Sequence, residues 1–203
     1  MKKVFSRNDR HFSKVSFVNW RTDGGDDISN LLVLADGYFS SGIELTQRCL
    51  NDNYWKVADK LIFPIFHNVN HGMELYLKAL IWKVNRLLDI PNRIEGKHNI
   101  KQIYENAKAK IKLFHGANGV KHFDSVTKEL KLYIEEHYEI IQENPDQNKI
   151  DFSRYPISND YERHFYAKQW DNIEVDLENL NTMFLEIYEK LEDLTSYYYH
   201  EEF

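Results

Sequence analysis

With a single cysteine in 203 residues, Cys49, the chain has no disulfide framework of its own. Proline and glycine are scarce too, at 4 and 8, too few for the closely spaced tight turns of a loop-rich β-sandwich. No apolar run approaches the roughly 20 residues of a membrane-spanning helix. The basic start "MKKVFSRNDRHFSK" has no apolar stretch of the kind a signal peptide carries. Positive charge is not in excess: the formal net charge is −6. That excludes a protein coating nucleic acid by wholesale phosphate neutralisation, though not a site built from a few local cations. These absences lead to the expectation of a soluble, cytoplasmic chain with no membrane association and no cofactor.

Apolar residues make up 42% and aromatics 14% of the sequence, ample for a packed core. The expected fold is all-α: an up-and-down bundle of about five helices over 26–203, preceded by an irregular arm at 1–25. Within the arm, "KVSFVNW" alternates from Val15 to Trp20 in the manner of a short strand. "DGGDD" then turns the chain, placing Asp26 and Asp27 where a helix start favours negative charge.

The first helix is expected from Ile28 to Leu50, and the second, longest one from Lys60 to Leu88, stopped by Pro91. Pro64 moves the expected start of the second helix toward Phe63, because proline is tolerated in a first turn. Asn99 caps the third helix, with Gln102 three residues on. Its buried stripe is Ile100, Ile103, Ala107, Ile111 and Phe114, and "HGANG" ends it. A fourth helix begins near Val120. A polar, turn-rich stretch follows, with a short β element expected near 163–172. From Asp176 on, Leu177, Leu180, Phe184, Ile187, Leu191, Leu194 and Tyr198 alternate spacings of three and four. That seam fits a helix packed inside a bundle better than a dimer zipper, because it is short for an independent coiled coil. Cys49 falls on an apolar helix face, which reads as a buried structural thiol.

On a helical wheel, Ile62, Phe66, Val69, Met73, Leu77 and Leu80 cover one face of the second helix. His67, His71, Glu74, Lys78 and Asn85 form a narrow polar stripe nearly opposite. Glu74 and Lys78 are an i,i+4 pair in the favourable order, so the plain expectation is a solvated stripe. A metal reading of His67, His71 and Glu74 ranks below it. Asn68 stands where a zinc-protease helix carries its general-base Glu, and no Cys or second His pair offers a fourth ligand.

The order of short motifs carries a further reading. "HGMELYLKALIW", a loop, and then "GKHNIKQIY" resemble the HEPN pattern, in which a His- and Glu-bearing helix precedes a "G-H-x-L" helix start. "FSRYP" at 152–156 and "IEVDLENL" further on also fit bacterial HEPN-like helical-bundle proteins, and the resemblance spans roughly residues 28–198. It implies a homodimer. Many members of this family are metal-independent ribonucleases acting as toxins of toxin–antitoxin pairs or in phage defence, with an Arg and a downstream His as hallmark.

The literal match here is "RIEGKH", in which four residues separate Arg93 from His98. Histidine can move the proton of a ribose 2′-hydroxyl or of the leaving group. Arginine can neutralise charge on the pentavalent phosphate. Ile94 follows Arg93 where the family has a polar residue, and the pair spans a loop and a helix start. The plainer reading makes His98 and Asn99 shapers of that start and Arg93 a surface charge. His71, Glu74 and Lys78 are candidate binding residues. So are Arg154 and Tyr155, which together with "YERHF" suggest a basic, aromatic corner able to stack a base or hold a phosphate.

Two functions are therefore expected of the sequence. One is a HEPN-like protein acting on or binding RNA, with Arg93 and His98 catalytic and no metal; its partners are RNA, a second copy and a protein such as an antitoxin. The other is a non-catalytic helical module that dimerises or binds a partner protein or nucleotide, through the second helix's polar stripe or the last helix's heptad seam.

Overall fold

The computed structural model describes residues 3–7, 10–22, 24–92, 98–141, 150–155, 157, 161–164, 166 and 171–200. Among them are five α-helices: α1 (Asp27–Asn51), α2 (Ala58–Leu87), α3 (Ile100–Val126), α4 (Lys128–Ile141) and α5 (Leu177–His200). The fold is an all-α bundle. No helix of the described residues is long and apolar enough to cross a membrane.

Local chemistry sets the helix ends. Asp26 accepts the Ile28 amide at 3.2 Å at the start of α1. Asn99 accepts the Gln102 amide at 2.9 Å, and Asp176 accepts from Glu178 and Asn179 at 3.0 and 3.1 Å. Each satisfies an amide that has no partner inside the helix.

α2 is the central element, and α1 lies antiparallel against it at close range. A Cβ on Gly72 would stand 2.9 Å from the backbone nitrogen of Phe39, and one on Gly42 would collide with Val69. Glycine at both positions lets the two backbones approach. The heptad residues Leu180, Phe184, Ile187, Leu191, Leu194 and Tyr198 of α5 are all buried. Phe184 stacks edge-on against Phe39 of α1 and Tyr133 of α4, so this chain's own bundle covers the seam. It is not a free surface for another chain.

Two expectations need correction. α2 starts at Ala58, so Pro64 sits within the helix; its ring is exposed, while packing of Ile65 and Val69 holds the helix on either side. "HGANG" interrupts the helical run of α3, as expected. Gly116 kinks it at φ 66°, ψ −153°, and helical geometry resumes as far as Val126; a residue with a Cβ would be strained there. Val15–Trp20 is not a strand. The arm instead holds a short 3₁₀ turn, Phe12–Lys14, followed by bends. Of the β element near 163–172, the described residues show only an isolated antiparallel bridge between Ile157 and Arg163. Phe165 and residues 167–170 lie outside the description.

Candidate functional site

The polar stripe of α2 is not solvated. A helical wheel assigns directions but not the number of neighbours, and α2 has packed elements on nearly every side. Glu74 is buried, its side chain only 5% exposed, and Asn85 is wholly enclosed. Neither amide atom of Asn85 has a hydrogen-bond partner among the described residues. What the stripe faces is Tyr38 of α1, the start of α3 and the segment around Arg154.

Glu74 is the centre of this group. Lys78, one turn on, donates to Oε1 at 2.7 Å. The His98 ring brings Nδ1 to 3.1 Å from the same oxygen and 3.3 Å from Oε2. His71 Nδ1 lies 3.9 Å from Oε2, and its ring meets Tyr38 edge-on at 4.4 Å. Burial by itself would favour the neutral acid. The contacts with His71, Lys78 and His98 outweigh it and hold the Glu74 carboxyl down at about 2. The cluster therefore keeps a permanent carboxylate inside the bundle.

His98 occupies a different environment on each side. One nitrogen is tied to the buried carboxylate, yet the side chain is 62% exposed. A carboxylate accepting Nδ1–H fixes the tautomer whose free Nε2 lone pair points away from Glu74. Asn99 anchors the backbone next to it, through its cap and by accepting a hydrogen bond from the Tyr138 hydroxyl at 2.8 Å.

A second group lies one turn toward the N-terminus of α2. Arg154 Nε donates to His67 Nδ1 at 3.2 Å. The His67 and His71 rings are parallel, with centroids 6.2 Å apart. Burial, and then the charges of Arg154 and His71, push His67 toward its neutral form. Among the described residues no group of three His, Cys, Asp or Glu is placed to hold a metal ion.

The structure thus brings His71, Glu74 and Lys78 together with His98, and joins Arg154 to the same helix through His67. Tyr155 is 61% exposed beside Arg154. Arg93 lies outside the described residues. His164, part of the expected basic corner, is fully buried and does not face solvent. Cys49 is buried. Helical spacing did not pair Glu74 with His98, which are 24 residues apart on different elements; each stood in a separate short motif.

No family model, curated protein or solved structure matches this chain.

Proposed function

We propose that the protein is a HEPN-like, cytoplasmic homodimer that cleaves single-stranded RNA without a metal ion, with His98 as the proton-transfer group. The observation behind this reading is an exposed His98 whose Nδ1 lies 3.1 Å from a buried, ionised carboxylate. A carboxylate in that position orients the imidazole and stabilises the imidazolium formed during proton transfer.

In the reaction, His98 Nε2 takes the proton of a ribose 2′-hydroxyl and the 2′-oxygen bonds to phosphorus. The bond from phosphorus to the 5′-oxygen breaks, and that oxygen takes a proton from the His98 imidazolium of a second copy. Arg93 neutralises the developing charge on the phosphoryl oxygens. Lys78 borders the carboxylate and contributes positive charge, while Arg154 and Tyr155 hold a neighbouring phosphate and base. A role as toxin or phage-defence component, with an antitoxin-like protein partner, follows from the resemblance of "HGMELYLKALIW" and "GKHNIKQIY" to that family.

The test is an RNA oligonucleotide incubated with the full chain in excess chelator, beside the same oligonucleotide carrying a 2′-deoxyribose at the scissile position. The expected result is cleavage of the first and survival of the second. Intact RNA under varied conditions, together with harmless overexpression, would contradict the nuclease. The non-catalytic module is the second reading. It is favoured by the apolar surface left on the monomer, where Phe5, Phe12 and Trp20 are each more than 70% exposed.

A further inference from the structure

The arm and the body of this protein carry opposite charge. Residues 1–25 hold six Lys or Arg and two Asp, a formal +4, which leaves −10 on the other residues. Four aromatics lie in the same arm, Phe5, Phe12, Phe17 and Trp20. Phe12, Phe17 and Trp20 form a cluster with ring centroids 5.6 and 5.7 Å apart. The cluster does not sink into the bundle: Phe12 is 76% and Trp20 74% exposed. Basic residues, Lys14 and Arg21, flank it. So large an exposed apolar group rimmed by charge is characteristic of an interaction surface.

A complementary surface lies on the body. Between α2, α4 and α5 a cavity of about 280 Å³ is floored by Phe66, Phe152, Leu180 and Met183. Ile140, Ile173 and Val175 leave an exposed apolar lip around it. Glu136, Glu174 and Asp176 stand at its edge, and among the described residues no Lys or Arg lines it. His137, the one histidine in its wall among the described residues, is held neutral at ordinary pH because burial lowers it to about 4. The cavity is therefore apolar within and acidic at the rim, and large enough for one bulky aromatic side chain.

The arm joins the bundle near the end of α5 that is farther from the cavity floor. It joins α1 at Asp26, which accepts a hydrogen bond from Tyr199 near the C-terminal end of α5. Leu180, in the cavity floor, is nineteen residues back along that helix, or about 28 Å. The six residues from Trp20 to Asp26 span only about 20 Å when fully extended.

We propose that the aromatic cluster of one copy docks in this cavity on a second copy, Trp20 filling the apolar floor while Lys14 and Arg21 pair with Glu136, Glu174 and Asp176. The contact deepens the homodimer of the preceding section, rests on it only for the identity of the partner, and is independent of the RNA chemistry.

Sedimentation equilibrium of the full chain over a range of concentrations tests it. The expected result is a monomer–dimer equilibrium that weakens as NaCl is raised, because the rim pairs are screened. Trp20→Ala raises the dimer Kd by about tenfold or more, as loss of a buried aromatic anchor does. The double variant Glu136→Lys/Glu174→Lys weakens it comparably, and adding Lys14→Glu/Arg21→Glu restores it. Thermal midpoints stay near wild type, since all these residues are on the surface. A monomer at every concentration overturns both this contact and the proposed homodimer. A dimer indifferent to Trp20→Ala and to both charge reversals overturns this contact alone. So does loss of single-stranded RNA binding in the arm variants with the oligomeric state unchanged, which makes the arm a nucleic-acid surface.

Discussion

Glu74 is a buried acid that stays ionised, and this makes the fold sensitive to pH. Its folded value of about 2 lies below the ordinary 4.5. Its contribution to stability is thus complete above about 4.5 and is lost as pH falls toward 2, roughly 3 kcal/mol in all. Glu74→Gln should flatten the denaturant midpoint against pH in that window and lower it at neutral pH, where Lys78 loses its partner. His137 works over a different range. Burial lowers it from 6.5 to about 4, so the unfolded chain takes up its proton first and stability declines as pH falls from 6.5 to 4. His137→Phe should reduce that decline, the remainder coming from His67, which burial also lowers, and leave the lower window intact. Both are read from urea midpoints at half-unit pH intervals. A midpoint that falls as steeply as wild type between pH 6.5 and 4 in His137→Phe would show that another group carries the effect.

At the scale of helices, the positions where two elements meet matter most. Gly72→Ala would place a Cβ 2.8 Å from that of Phe39, forcing α1 and α2 apart. We expect a loss of about 1–3 kcal/mol by chemical denaturation, against near-neutrality for a surface glycine such as Gly37, where a Cβ meets nothing within 4 Å. Asn99→Ala removes both the cap of α3 and the hydrogen bond from Tyr138. It should cost about 1–2 kcal/mol. Because it loosens the residue next to His98, it should also lower RNA cleavage while the thermal midpoint stays above assay temperature.

Across the whole molecule, what could be read in advance was what depends on local period and caps. The α5 seam, the Asn99 cap and the buried Cys49 follow from spacing and side-chain chemistry close in sequence. So does the break at "HGANG", where Gly116 takes a non-helical backbone at positive φ. Pro64 misled because the first-turn preference yields to packing on both sides. The α2 stripe is the instructive error. His67, His71, Glu74 and Lys78 do share a face, but no pattern within one helix can reveal that His98 and Arg154 come from elsewhere to cover it. The candidate site is assembled by tertiary contacts, which is why its central pair was invisible to spacing.

The most direct measurement is the rate at which His98→Ala cleaves a single-stranded RNA oligonucleotide in excess chelator, relative to wild type. Removing a proton-transfer group should slow cleavage by about 10²–10⁴-fold, while the thermal midpoint, lowered by the loss of one Glu74 partner, stays above assay temperature. Cleavage at the wild-type rate by His98→Ala would contradict the assignment of His98 as the catalytic residue.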